Sequence, residues 1–159
     1  MNIFTHALSP VIITHLCMPA SKKLPRRSLI AIGVAGALPD LLNPHLYLEA
    51  RMTSWSHALP FWTCLTIVLL LASLFSKKRL PLGLSIILSA AYLFHLICDA
   101  ISGGINWLYP CSNYIWGTYW VSPLYWVPLD LLCILTCYYL FRLRPLLKRR
   151  ASQAPPIDF

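Results

Sequence analysis

Five apolar runs, at residues 2–20, 28–42, 57–75, 81–98 and 124–141, set the limits on how this chain can fold. Only 11% of its residues are charged and 58% are hydrophobic, with a mean hydropathy of +0.64. A water-soluble domain carries roughly 25% charged residues. The chain lacks the polar surface that water requires, so it reads as an integral membrane protein. A spanning helix needs about 20 apolar residues, with about 17–25 tolerated. The third, fourth and fifth runs meet that length, and the first does so despite Thr5, His6, Thr14 and His15. The second, 28–42, reaches only about 22 Å. It is expected to be tilted, shielded by its neighbours, or not fully spanning.

The fold expected is an all-α polytopic membrane bundle of about five segments. It forms one transmembrane domain over 1–145, followed by a basic tail, 146–159, expected to be disordered and cytoplasmic. Residues 100–123 contain no charge but hold Trp107, Tyr109, Tyr114, Trp116, Tyr119 and Trp120. Aromatic residues gather at membrane interfaces, so this stretch is expected to be an interfacial or re-entrant loop, with Gly103-Gly104 as its hinge. The first lysine, Lys22, follows the first apolar run, so no secretory signal is expected. The six cysteines form no Cys-x-x-Cys pair and read as small buried hydrophobes.

The basic residues carry the topology. Lys22, Lys23, Arg26 and Arg27 follow the first run. Lys77, Lys78 and Arg79 follow the third, and Arg142, Arg144, Lys148, Arg149 and Arg150 follow the fifth. With five crossings these twelve share one side, and only Arg51 lies opposite. The positive-inside rule makes that side the cytoplasm. The N-terminus is then outside and the C-terminus inside. The charge of +8 is thereby accounted for by topology and anionic lipid heads, with no need for nucleic acid.

The same topology places the scarce His and Asp residues. His6 opens the first run, Asp40 ends the second, His57 opens the third, and His95 and Asp99 end the fourth. His95 and Asp99 are four apart, on one face of a helix. All five residues converge at the outer side. Imidazoles and carboxylates at one level suit Zn²⁺ or a similar divalent ion. One ion would take Asp40, His57, His95 and Asp99, and His6 would hold a second by sharing Asp99. A divalent ion makes water nucleophilic near neutral pH, so hydrolysis is the natural reaction class, with Asp40, His95 and Asp99 as its catalytic residues. Asp130 is expected to be a polar partner for a neighbouring helix. His15 falls at the wrong depth, and His45 lies in a loop. Glu49 and Arg51 are either substrate-facing or solvated.

Several short motifs occur in a fixed order: Phe4-Thr5-His6-Ala7-Leu8, Gly36-Ala37-Leu38-Pro39-Asp40, Trp55-Ser56-His57-Ala58-Leu59, and His95-Leu96-Ile97-Cys98-Asp99 followed by Gly104 and Trp107-Leu108-Tyr109-Pro110. Over about the first 110 residues this order resembles the YdjM-like membrane-bound metal-dependent hydrolases of bacteria. The resemblance implies an inner-membrane hydrolase with these His and Asp residues as metal ligands. The order is also similar to that of the zinc-dependent phospholipase C and single-strand nuclease superfamily, which implies zinc at His6, Asp40, His57, His95 and Asp99. Leu42 and Asn43 stand where the first family often has a further Asp and His, and Ser56 stands where it often has Thr. The later His and Glu ligands of the superfamily have no counterpart, so one or two ions are expected. Site depth suggests a phospholipid or lipid-linked phosphoester substrate. The alternatives are a His/Asp cluster that binds or conducts a metal ion or protons, or one that only fixes helix packing.

Overall fold

The computed structural model describes residues 2–44, 47–76 and 78–153. Its helices are α1 (Ile3–Cys17), α2 (Arg26–Leu42), α3 (Leu59–Phe75), α4 (Leu82–Ile101), α5 (Trp126–Tyr138) and α6 (Arg144–Gln153). A π-helical turn, Tyr139–Leu143, joins α5 to α6. The chain is therefore mostly helical, as its apolar runs require. Prolines mark the helix starts. Pro25 and Pro81 stand just before α2 and α4, and Pro60 lies in the first turn of α3. Proline lacks an N–H and has a preset φ, which costs nothing where the first helical N–H groups have no partner.

Among the described residues, two helical stretches are long and apolar enough to cross a membrane, Leu82–Ile101 and the joined Pro123–Gln153, while Ile3–Cys17 and Leu59–Phe75 are shorter apolar helices. The joined helix runs past residue 145. Residues 146–153 continue as α6, since Leu, Lys and Arg are good helix formers and the helix ahead of them is already nucleated. Residues 154–159 lie outside the described residues. Helix α2 starts two residues earlier than its apolar run and has 17 residues.

Beside two apolar core clusters around Ile32 and Leu96, the interior buries many polar side chains while large apolar ones face outward. His6, Arg51, Ser54, Ser56, His57, Ser85 and His95 are at or below 2% exposure, whereas Phe75 is 87% and Val127 70% exposed. Burying hydroxyls and charges while exposing leucines is unfavourable in water but suits a lipid solvent. Hydroxyls also join α3 to α4. Thr66 Oγ1 lies 2.6 Å from Ser89 Oγ, Ser85 Oγ donates to the Leu69 carbonyl at 3.1 Å, and Trp62 Nε1 donates to the Ser89 carbonyl at 3.0 Å.

Helices α1 and α2 cross at Gly33 and Gly36. A Cβ at Gly36 would strike the His6 carbonyl, and one at Gly33 would stand 3.3 Å from the Ala7 carbonyl. Only glycine permits that approach. Asp130 of α5 reaches the start of α1, accepting from Thr5 N at 2.8 Å and Thr5 Oγ1 at 2.5 Å. It thus satisfies an N–H in the first turn of α1, which its own Asn2 cap leaves without a side-chain bond. This is the helix-partner role expected for Asp130.

The aromatic stretch 100–123 is not wholly irregular, and the chain is not wholly α. Strands β1 (Ile105–Asn106) and β2 (Ile115–Trp116) pair antiparallel, with Ile105 opposite Trp116. A bridge between Ser102 and Tyr119 extends the pairing. The hairpin folds back on the end of α4, where a Cβ at Gly117, φ +118°, would strike the Ala100 carbonyl. Trp116, Tyr119 and Trp120 remain exposed. Gly103 and Gly104, both at positive φ, form a tight turn where a hinge was expected.

Candidate metal centre

Four donors converge from three parts of the chain. Asp40 lies in the last turn of α2. His57 ends a 3-10 turn, Trp55–His57, just before α3. His95 and Asp99 share one face of the last turns of α4. One donor atom from each lies within 4.8 Å of all the others. The structure brings together the four residues assigned to the first ion.

Five of the six donor separations are close to the spacing one ion would impose, and the Asp40 and Asp99 oxygens lie within 4.8 Å of each other. His57 Nε2 stands 3.2 Å from Asp40 Oδ1, 3.4 Å from Asp99 Oδ2 and 3.3 Å from His95 Nε2. His95 Nε2 stands 3.6 Å from Asp40 Oδ1 and 3.3 Å from Asp99 Oδ2. Zinc at about 2.0–2.2 Å from each ligand sets tetrahedral donor–donor edges of about 3.3–3.6 Å. Hydrogen bonds favour about 2.7–3.2 Å.

The tautomers follow from the acceptors around each ring. His95 Nδ1 lies 2.7 Å from the Gly36 carbonyl, which only accepts. Nδ1 therefore carries the proton, and the Nε2 lone pair faces the cluster. Around His57, Ser56 Oγ donates to the Pro39 carbonyl at 2.8 Å. Ser56 must then accept from Ser54 Oγ at 2.9 Å. With its proton committed, Ser54 accepts from His57 Nδ1 at 3.0 Å and from Asn43 Nδ2 at 2.8 Å. In the neutral ring His57 Nε2 then also turns its lone pair to the cluster, 3.2 Å from Asp40 Oδ1. Two nitrogen lone pairs 3.3 Å apart repel, and either a shared cation or a proton on one ring relieves them. Ring N–H groups held by carbonyls or hydroxyls are the usual support of histidine ligands.

Asp99 divides its two oxygens. Oδ2 faces His57 and His95, while Oδ1 lies 3.2 Å from His6 Nε2 and 3.3 Å from Arg51 Nη1. His6 stacks on His95 with ring centroids 3.9 Å apart. His6 is therefore at the site as expected, but beside the four-donor set. The Arg51 guanidinium stands against the oxygen that a second ion would share, so the geometry supports a single ion. Arg51 is 2% exposed, and its Nη2 donates to the Ser102 carbonyl at 2.9 Å. This corrects the expectation of a solvated or substrate-facing Arg51. A charge this deep needs a carboxylate, and Asp99 supplies it. Glu49 is exposed. His15 is remote, packed on Phe141 at 4.6 Å, and His45 lies outside the described residues.

Sequence reasoning missed the supports: Ser54, Asn43 and Tyr92, whose hydroxyl donates to the Ser56 carbonyl at 2.5 Å. The one signal was the polar run Ser54-Trp55-Ser56-His57 ahead of an apolar helix. Access to the cluster is one-sided: the Asp40 side chain is 21% exposed, against 0–4% for those of His57, His95 and Asp99.

A lipid-compatible helical bundle with a buried two-His, two-Asp cluster defines a membrane protein built around a candidate ion-binding site. The sequence pattern of the YdjM inner membrane protein family matches residues 1–153, and the chain belongs to that family. No curated protein and no solved structure matches the chain.

Proposed function

We propose that the protein is a metal-dependent hydrolase of the inner membrane, acting on a phosphoester of a lipid or lipid-linked substrate. The observation that carries the reading is the convergence of one donor atom each from Asp40, His57, His95 and Asp99 within 4.8 Å of one another. Asp40, His57, His95 and Asp99 would hold one divalent ion, with zinc favoured by the mixed N/O donors. When bound, such an ion polarises a phosphoryl oxygen and makes water acidic enough to attack near neutral pH. The residues supply the rest. His57 and His95, fixed by Ser54 and the Gly36 carbonyl, aim their lone pairs inward. Asp99 is held by Arg51 and His6, so its Oδ2 keeps a constant position. Asp40, the one partly exposed member, stands at the mouth and takes the proton from the attacking water. Five crossings with the basic connections cytoplasmic would put this mouth near the outer leaflet, beneath the exposed tryptophans of the 100–123 hairpin.

The closed four-donor set favours one further reading, a structural ion, because catalytic zinc sites usually keep one position open. The two readings separate on one preparation. Detergent-purified protein is expected to hold one divalent ion per chain, lost on His95→Ala, and to release phosphate or headgroup from a panel of phospholipids and lipid phosphates. Ion without turnover leaves the structural reading. Equal metal content in wild type and variant overturns both. A reporter fused after Phe159 should be active only in the cytoplasm, and one inserted near Ser112 only outside.

A further inference from the structure

We infer that the outer faces of α1, α2 and the π-turn form a binding groove for one anionic phospholipid, with its cationic end at the opposite end of the bundle from the metal centre. The groove encloses about 1010 Å³, at the upper end of small-ligand sites. Its walls are single helix faces. Helix α1 gives Phe4, Leu8 and Val11, and α2 gives Ile30, Val34 and Leu41, each set at helical three-, four- or seven-residue spacings. Phe4, Ile30, Val34 and Leu41 are 49–56% exposed, so this surface is not filled by the protein itself.

The charge is confined to one end. Lys23, Arg26 and Arg142 line the groove there, together with His15. Of the acidic residues, Asp40, Asp99 and Asp130 are engaged at the metal end, and Glu49 lies in the 3-10 turn that carries Arg51. The three cations have no carboxylate partner among the described residues. From His15 to Ile3 the groove follows α1 for about 18 Å, close to the about 15 Å of one leaflet's hydrocarbon. A phosphate head on three cations with acyl chains along the apolar walls fits both the charge and the length. Basic pockets between membrane helices bind anionic heads in this way. The groove depends on membrane embedding, not on the metal centre or its chemistry.

The test is native mass spectrometry of the full detergent-released chain with added phosphatidylglycerol or phosphatidylcholine. Wild type should retain one phosphatidylglycerol with at least about tenfold preference. A Lys23→Gln, Arg26→Gln, Arg142→Gln variant should lose that preference while still binding phosphatidylcholine weakly. A Lys148→Gln, Arg149→Gln, Arg150→Gln variant, with the same loss of charge, should keep it. Val34→Trp, which fills the groove from an exposed position, should lower retention of both lipids. Should the first triple variant melt below wild type, Arg142→Gln alone is read, with about a fivefold loss expected. Equal loss in the two triple variants, or no preference in wild type, overturns the groove. Metal content is expected to be unchanged throughout, so failure here leaves the hydrolase reading intact.

Discussion

The two ends of the bundle handle charge in opposite ways. At one end His6, Arg51, His57, His95 and Asp99 are buried, each within about hydrogen-bonding or ion-pair distance of another. At the other, Lys23, Arg26, Arg142, Lys148 and Arg150 are exposed. A buried charge requires a partner of opposite sign and holds that partner in place. An exposed charge is solvated and leaves the fold nearly unaffected. The contrast teaches where sequence change is tolerated: the solvated cationic end constrains the fold little, and the polar end holds the structure together.

The strongest way to break the contrast is Asp99→Ala. It removes two donor contacts to His57 and His95 and strands Arg51 as a buried unpaired cation. The expected loss is about 3–5 kcal/mol of stability, because removing one partner of a buried pair leaves the other uncompensated. Thermal melting in detergent checks it. Adding Arg51→Met should recover part of that stability but none of the metal. A melting temperature within a degree of wild type would mean that the two ends do not differ as described. Ser54→Ala is the intermediate case. It removes the acceptor that fixes the His57 tautomer, and metal affinity should fall about 10- to 100-fold with the fold retained. Chelator titration reads that change. The smallest effect is expected at the cationic end. Lys148→Gln should alter stability by no more than about 0.5 kcal/mol, and a larger shift in the same melting assay would show that α6 packs on something the exposed surface does not reveal.

Much of the site was legible because membrane depth orders residues that sequence separates. The four-residue spacing of His95 and Asp99 gave their shared face. Alternating crossings then placed Asp40 and His57 at the same level, where the structure has them. Arg51 was not legible. It sits in a short loop with no periodicity, and only tertiary packing shows that it turns inward to Asp99. Nothing local distinguishes a loop arginine that is solvated from one that is buried. The serine relay was hidden for a related reason, since its direction depends on the Pro39 carbonyl, seventeen residues away from Ser56. The continuation into α6 was obscured by the charge density of residues 148–150, which reads as tail composition although lysine and arginine are compatible with helix.

The bond from Thr5 to Asp130 joins residues 125 positions apart, and it has a consequence for biogenesis. Helix α1 starts with an N–H and a hydroxyl whose acceptor is made 125 residues later. Until α5 arrives, the Thr5 N–H and hydroxyl lack that acceptor, although His6 can already meet Asp99 and His95 of α4. The ligands from residues 40 to 99 can gather earlier, around α2 to α4, while the first turn of α1 waits. The first turn of α1 should therefore dock firmly only once α5 has inserted, and a nascent chain truncated before residue 130 should leave that turn loosely docked and accessible to proteases.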